Sequence, residues 1–228
     1  MDTLAPHVRA GGYVVGLEPS CTAVFRSDAP ELFPGDQDVL RLRDHTLTLA
    51  ELLTEHTPGY EPPSVRRPVL TQVHCHQHAV MGWDADEKLL KQADASAEHL
   101  DTGCCGLAGN FGFQAGHGEV SRAIAERALL PKLRAASPGA VILADGFSCR
   151  TQIHELDSGG REGMHLAELL ATAGNLGYDR PERAAAPRPA PPGTAAKAAT
   201  VLGAATAAAL TTAAAALLRR RLTRRTRT

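Results

Sequence analysis

Apolar runs and amphipathic segments alternate along the first three-quarters of the chain. The runs typical of buried strands are 13–17, 67–76, 140–149 and, more weakly, 97–103. The segments with helical periodicity are 84–93, 118–136 and 163–176. Because continuous apolar strands that alternate with helices are typical of parallel sheets, we predict an α/β domain with a mainly parallel sheet and flanking helices.

Two segments carry finer predictions. Residues 39–56 are expected to form a short extended piece and then a helix, with Thr48 as its N-cap and Glu51 as the capping-box partner three residues later. The helix at 118–136 is expected to bury one face. The residues of that face are Val120, Ile124, Ala128 and Leu129.

The composition changes after residue 178, so residues 1–178 are predicted to form the domain. Residues 179–197 are rich in proline and alanine and are expected to be a linker. Residues 198–218 are an apolar, alanine-rich segment predicted to be helical and long enough to span a bilayer, and six arginines follow it in 219–228.

Two interpretations of this tail compete: a single membrane span, or a segment that is disordered or lies on an anionic membrane surface. The positive-inside rule keeps the arginines cytoplasmic, so a span would export the cysteine-containing domain to an oxidising space. We therefore favour peripheral association with the inner face of the membrane, or disorder, over a span.

Charge and cysteine usage exclude several classes of function. The net charge of −1 gives no basic field for nucleic acid, and no Gly-rich phosphate-binding motif is present in the sequence. The first residues lack a charged region followed by an apolar one, so we expect a cytoplasmic domain. Five cysteines, an odd number, argue against a disulfide framework there.

Each cysteine is predicted to follow the carboxyl end of a strand, the edge where ligands bind in open α/β sheets. The five are Cys21, Cys75, Cys104, Cys105 and Cys149. No C-x2-C pair typical of zinc sites occurs, whereas adjacent thiolates can ligate neighbouring irons of one cluster. Glycines such as Gly106 in "DTGCCGLAGNFGF" would let the backbone approach the sulfurs. We expect metal or cluster ligation; the alternative is that these are small buried apolar residues.

Three histidines alternate around Cys75, at His74, His76 and His78. If the segment is extended, all three share one face and Cys75 takes the other. They would then be extra metal ligands or a proton-handling site beside the cluster. The alternative is that they are polar loop residues that hydrogen-bond the backbone.

Two further side chains are candidates near the cysteines. His117 is expected at a helix N-terminus close to the glycine-rich loop. Arg150 either offsets thiolate or cluster charge, or caps a helix or pairs with an acid. A cysteine nucleophile, Cys75 or Cys149, with a histidine base is a further alternative, but no orienting acid or oxyanion site is fixed by the sequence, so no catalytic residue is assigned.

Four motifs, "GLEPSC", "HCH", "CCGLAGNFG" and "GFSCRTQI", resemble in this order the cysteine-rich CCG domain, over roughly residues 8–175. That domain occurs in one component of heterodisulfide reductase and in the iron–sulfur subunits of glycolate oxidase and anaerobic glycerol-3-phosphate dehydrogenase. It also forms the C-terminus of large FAD-linked oxidases that act on D-lactate or D-2-hydroxyglutarate, and the chain is most similar to this last group.

The resemblance implies an iron–sulfur cluster of [4Fe–4S] type, cubane or non-cubane, that passes electrons from a flavin to a quinone-like acceptor. The implied ligands are Cys75, Cys104, Cys105 and Cys149, with Cys21 from the preceding half of the region. The implied partners are an FAD-binding oxidase module and a ferredoxin-type module. The alternative is a zinc-binding or metal-free remnant that docks a flavoprotein.

The chain departs from the resembled family in two respects. Gly146 stands where cluster-binding members have the first cysteine of a CxxC motif. The flavin module, the ferredoxin cysteine run and the N-terminal half of the CCG region are missing from the sequence, so we expect a region truncated on its N-terminal side. Because the flavin carries the hydride chemistry, the chain is not expected to oxidise a hydroxy acid by itself.

Overall fold

Two parallel β-sheets organise the described part of the protein, residues 1–174 of a computed structural model. The strands are β1 (Val14–Gly16), β2 (Thr46–Thr48), β3 (Pro68–Thr71), β4 (Ser96–His99), β5 (Val141–Leu143) and β6 (Gly163–Met164). β1 pairs with β2, and the larger sheet has the order β4-β3-β5-β6 with every neighbouring pair parallel. The prediction of an α/β fold with parallel strands is confirmed.

Helices connect and flank the strands. The α-helices are α1 (Ala5–Arg9), α2 (Pro19–Ala23), α3 (Ala29–Leu32), α4 (Gln37–His45), α5 (Leu49–Glu55), α6 (Asp84–Gln92), α7 (Gly118–Arg127), α8 (Leu129–Ala135), α9 (Phe147–Leu156) and α10 (Leu166–Ala173). Two π-helical turns, Val24–Asp28 and Gln77–Met81, and a 3-10 turn, Phe111–Phe113, complete the set. Within residues 1–174, none of these helices is long and apolar enough to cross a membrane.

The larger sheet buries a separate apolar cluster on each face, because successive strand residues point to opposite sides. Leu70 and Ile142 pack with residues of α7, α8 and α9. Val69 and Leu143, their neighbours along the strands, pack instead with α6 and α10. Cys105 and Cys149 belong to the first cluster, so the cysteine region is anchored in one of the two cores.

Several predicted boundaries were wrong. The helix predicted at 118–136 is broken at Ala128 (φ −144°) into α7 and α8, and Pro131 in α8 removes a backbone donor that a continuous helix would need. Its predicted face is right only in part. Leu129 is buried and Val120 is 44% exposed, whereas Ser121 and Ala125, outside the predicted face, are buried. The pattern also missed α4 and α9. It extended the predicted strands 67–76 and 140–149 beyond the ends of β3 and β5.

The predicted capping box of Thr48 and Glu51 is confirmed. The Thr48 side chain accepts the backbone N–H of Glu51 at 3.1 Å, and the Glu51 carboxylate accepts the backbone N–H of Thr48 at 2.7 Å. Arg26 in turn donates to both Glu51 oxygens at 2.7 Å. The predicted linker, alanine-rich helix and arginine-rich segment lie outside the described residues.

Candidate functional site

Four of the five cysteines lie beyond the carboxyl ends of three neighbouring strands. Cys75 follows β3, Cys104 and Cys105 follow β4, and Cys149 follows β5 in the first turn of α9. These strands are parallel and adjacent, in the order β4-β3-β5, so their carboxyl ends meet at one edge. The four thiols are close enough for the charge of one to perturb the pKa of others.

Neighbouring thiols perturb one another in this group. The Cys149 thiol, assisted by backbone N–H groups of the loop after Cys105, lowers the pKa of Cys105 to about 6 against the effect of burial. The Cys105 thiol and burial in turn raise the pKa of Cys149. Burial, followed by the neighbouring Cys104, raises the pKa of Cys75. Cys105 and Cys149 are buried in the same core cluster, whereas Cys104 is exposed.

A glycine-rich loop brings backbone N–H groups onto the sulfurs. The Gly106 N–H donates to Cys104 Sγ at 3.3 Å. Gly106 has φ +72°, and a Cβ there would lie 2.7 Å from Ile124 Cδ1 and 3.2 Å from Ser121 Cα. Only glycine combines this left-handed backbone with so close an approach of α7.

Buried amide and hydroxyl side chains hold the loop. The Cys105 carbonyl accepts the Ser121 hydroxyl at 2.9 Å and also accepts the Gln152 amide, which reaches Ser121 Oγ at 3.0 Å. On the other side, Gln72 at the end of β3 donates to the Gly103 carbonyl at 3.3 Å. The loop is thereby tied to α7, α9 and β3.

Cys21 is linked to the cysteine region through Glu18. The structure places Cys21 in helix α2, which follows β1. Its backbone N–H donates to Glu18 Oε2 at 2.9 Å, and burial and the Glu18 charge raise the pKa of the Cys21 thiol. The same carboxylate accepts the backbone N–H of Phe147 at 3.3 Å, two residues before Cys149.

His74 is the histidine that enters the site. It is 5% exposed, and its Nδ1 accepts the backbone N–H of His76 at 3.2 Å. Burial lowers the pKa of His74, partly opposed by the charge of Glu18. Its ring lies against Gly146, where a Cβ would come within 2.2 Å of His74 Cδ2.

The predicted shared face of His74, His76 and His78 is wrong, because β3 ends at Thr71 and Cys75 already lies in a helical turn. His76 and His78 are exposed. The His76 ring lies near the His74 ring, with centroids 5.3 Å apart. His78 contacts His74 through its backbone, whose N–H donates to the His74 carbonyl at 2.9 Å.

The remaining candidates lie beside the loop or away from the thiols. His117 is the N-cap residue of α7, as predicted, and its ring stacks on Phe111 with centroids 4.1 Å apart. Arg150 packs against Gly163, and its charge acts on Asp145. The predicted roles of Arg150, to offset thiolate charge or to cap a helix or pair with an acid, stay predictions.

The donor chemistry of the four-cysteine group suits a thiolate-bound metal or cluster. Four sulfurs, a glycine loop with N–H donors and a partly exposed rim match the ligand set that iron–sulfur centres use, and four thiolates also suit zinc. Within residues 1–174, however, no set of three or more histidine, cysteine, aspartate or glutamate side chains has the arrangement of a preformed metal site.

A polar pocket separate from the cysteine site lies where the carboxyl ends of β1 and β2 face the residues that follow β5 and β6. Its lining includes Thr48, Gln77, Asp86, Asp145 and His165. Burial and the nearby Asp145 raise the pKa of Asp86 to about 8, although a hydrogen bond from Gln77 opposes the shift. This pocket contains none of the cysteines.

Sequence reasoning missed Glu18, Gln72 and Ser121. A carboxylate directly before the helix-starting Pro19 is a usable local signal for Glu18, which caps α2. Nothing local marks Gln72 or Ser121, because Gln72 pairs with a residue 31 positions away and Ser121 with one 16 positions away.

The chain is similar to part of an oxidoreductase. Two relatives, both D-2-hydroxyglutarate dehydrogenases, match about the same share of it. The protein of Pseudomonas putida is 29% identical over 163 residues, 69% of this chain and 15% of the relative. That of Pantoea ananatis is 26% identical over 168 residues, 70% of this chain and 15% of the relative. The chain therefore matches only a small part of each relative, and no protein-family model matches it.

Proposed function

We propose that the chain is an iron–sulfur electron-transfer part of an FAD-linked oxidoreductase that acts on a 2-hydroxy acid of the D-lactate, glycolate or D-2-hydroxyglutarate type. The observation that carries the proposal is the meeting of Cys75, Cys104, Cys105 and Cys149 at one sheet edge, from three segments far apart in sequence. The similarity to two dehydrogenases supports the oxidoreductase context.

The residues of the site would hold the group as follows. The four thiolates would supply the ligands, and the bound cluster would accept and donate single electrons. The N–H of Gly106 donates to a ligand sulfur, which stabilises negative charge there. Gln152 and Ser121 fix the carbonyl of Cys105 and so orient the loop.

The exposed side of the site supports exchange of electrons with another module. Cys104 is exposed, whereas Cys105 and Cys149 are buried, so the site opens to the surface on one side. The proposed partners are an FAD-binding oxidase module and a ferredoxin-type module, on another chain or in a longer form of this one. A quinone-like acceptor and a position at the inner face of the membrane belong to the same proposal, and they rest on the arginine-rich sequence of 219–228.

The test is metal content after anaerobic expression and reconstitution of the whole chain with iron and sulfide. We expect about four irons with matching sulfide per chain and the EPR signal of a reduced cluster. Cys104→Ser and Cys105→Ser should abolish iron binding. Cys21→Ser is the matched control, because Cys21 contacts Glu18 instead of the four thiols. Full iron content in both loop variants would contradict the proposal. Loss of iron in Cys21→Ser would show that Cys21 is a fifth ligand, as the sequence predicts.

A zinc-binding structural module that docks a flavoprotein is the second candidate, since four thiolates also form structural zinc sites. Stoichiometric zinc that resists replacement by iron would favour it. A chain that folds and retains no metal would favour a metal-free remnant and remove electron transfer from this part of the protein.

A further inference from the structure

We propose that Glu18 is a positioning residue of the cysteine site: its carboxylate caps α9 from a distant segment and holds the first turn of that helix, which carries Cys149. The capping of α9 concerns the protein alone and is tested on the metal-free chain. The effect of the Glu18 charge on a bound cluster rests on the proposed function and deepens it.

The helix α9 starts without a capping side chain of its own. Gly146 is its N-cap residue, and a glycine has no side chain to accept the first backbone N–H groups of the helix. The Glu18 carboxylate, 129 positions away in the sequence, accepts the backbone N–H of Phe147, the first residue of α9, at 3.3 Å. A negative group at this end of a helix also interacts favourably with the helix dipole. Glu18 therefore supplies the cap that Gly146 lacks.

The same carboxylate caps a second helix with its other oxygen. Oε2 of Glu18 accepts the backbone N–H of Cys21 at 2.9 Å and the hydroxyl of Ser20, and these bonds cap α2. Thr22, one residue further along α2, donates its hydroxyl to the Glu18 carbonyl at 2.9 Å. These contacts with α2 fix both the backbone and the side chain of Glu18 in the orientation that reaches α9.

A contact of the preceding residue anchors the same segment to the larger sheet. The Leu17 carbonyl accepts the Nε2–H of His165, the N-cap residue of α10, at 2.7 Å. The other ring nitrogen of His165, Nδ1, accepts the backbone N–H of Ala167 at 3.0 Å, so Nε2 is the nitrogen that carries the proton. The segment after β1 therefore contacts the N-termini of α9 and α10, the helices that follow β5 and β6.

The cap acts on Cys149 through the first turn of α9. The bonded N–H belongs to Phe147, two residues before Cys149, which corresponds to about 3 Å along a helix axis. Cys149 is buried in the core cluster that also contains Cys105, and fraying of the first turn would withdraw it from that cluster. Glu18 therefore keeps Cys149 in place when no metal holds the thiol.

The charge of Glu18 has a further consequence once a cluster is bound. The side chain accepts three hydrogen bonds, the arrangement of an ionised carboxylate, which has no proton to donate. A negative charge beside a cluster opposes the uptake of an electron, because reduction adds negative charge to the cluster. Glu18 therefore lowers the reduction potential of the bound cluster, and removal of its charge raises that potential.

The first test is amide hydrogen exchange in the reduced, metal-free whole chain. Glu18→Ala should speed exchange at 147–149 in α9 by about fivefold, the usual effect of losing a cap, and should also speed it at 20–22 in α2. Glu18→Gln keeps the size of the side chain and one acceptor oxygen, so it should show a smaller acceleration at the same positions. Glu31→Gln, at an exposed position of α3, should exchange like the wild type.

The pattern along the chain decides the outcome of this test. Acceleration confined to the starts of α2 and α9 would support the capping role. Wild-type exchange at the start of α9 in both Glu18 variants, or the same acceleration in α6 as in α9, would overturn it. Because Glu18→Gln is read by the same criteria, the test does not depend on the folding of Glu18→Ala.

The second test is an EPR-monitored redox titration after reconstitution with iron and sulfide. Glu18→Gln and Glu18→Ala should both shift the reduction potential to more positive values, because both lack the charge, and Glu31→Gln should leave it unchanged. A cluster with the wild-type potential in both Glu18 variants would overturn the charge effect and leave the proposed function intact. Absence of a cluster together with faster exchange at the start of α9 would contradict the proposed function and leave the capping role intact.

Discussion

The imidazole of His74 lies directly against Gly146, so closely that a Cβ at position 146 would stand 2.2 Å from His74 Cδ2. His74 precedes Cys75, and Gly146 is the N-cap of the helix that carries Cys149, so this contact joins two of the segments that bring thiols together. The resembled family has a cysteine at the position of Gly146. In this chain the histidine ring occupies the volume that such a side chain would need.

Gly146→Ala should therefore lower the free energy of unfolding by about 1–3 kcal/mol, the usual cost of overpacking a buried contact. Gly146 has φ −68° and ψ 129°, a conformation open to alanine, so the loss would come from the clash and not from backbone strain. Urea denaturation measures it. Gly139→Ala is the control, since a Cβ there meets nothing within 4 Å, and it should stay within about 0.5 kcal/mol of the wild type.

Adding His74→Ala to Gly146→Ala identifies the clashing group. If the ring is the obstacle, the second change removes the clash, and the double variant is more stable than the sum of the two single effects predicts. Strict additivity of the two substitutions would show that the cost of Gly146→Ala arises elsewhere.

Gln152→Leu should loosen the cysteine loop. The Gln152 side chain is buried and donates to the Cys105 carbonyl, the Ser121 carbonyl and Ser121 Oγ. An apolar replacement therefore removes a donor from three buried acceptors. We expect a loss of about 1–3 kcal/mol in unfolding free energy and faster amide exchange in residues 103–109. Gln114→Leu, an exposed position after the same loop, is the control. Equal exchange rates in the two variants would contradict the anchoring role.

The sequence predicted the fold class and the sheet edge because both depend on local pattern. Apolar strands alternate with helices, and parallel strands bring their carboxyl ends together, so the placement of Cys75, Cys104 and Cys149 after strands could be read directly. The capping box of Thr48 and Glu51 is equally local, since it depends on residues three apart.

The rest depended on contacts between distant residues. The burial of Cys105 and Cys149 in one core cluster joins positions 44 residues apart, and no spacing rule shows that Cys105 and not Cys104 is the buried one of the adjacent cysteines. The histidine prediction failed because "VLTQVHCH" looks extended throughout, whereas the strand ends at Thr71. A helical turn begins at Cys75, so the segment is not extended there; His74 is buried and His76 is exposed.

Thr48→Ala should destabilise the protein by about 1 kcal/mol through loss of the N-cap of α5. The hydroxyl accepts the Glu51 N–H at 3.1 Å, and alanine cannot. Thr48→Ser keeps the acceptor and should remain near wild-type stability in chemical denaturation. A serine variant as unstable as the alanine variant would assign the effect to the lost methyl group and not to the cap.

The buried Asp86 gives stability a defined pH dependence. Burial and the neighbouring Asp145 raise its pKa from 3.8 to about 8, with a smaller contribution from Glu51 and an opposing hydrogen bond from Gln77. Between these values the folded protein retains a proton that the unfolded chain releases. Stability from this group is therefore fully present below about pH 4 and is lost progressively as the pH rises toward about 8.

Asp86→Asn removes that titration, so its unfolding free energy should fall less than the wild type's between about pH 5 and about pH 8. Some slope remains, because burial also raises the pKa of Asp145. Urea denaturation at the two pH values measures the difference. Asp84→Asn, at an exposed position of the same helix, should leave the wild-type slope unchanged. Parallel pH profiles for the wild type and Asp86→Asn would show that Asp86 is ionised in the folded protein and that the pocket admits enough water to solvate it.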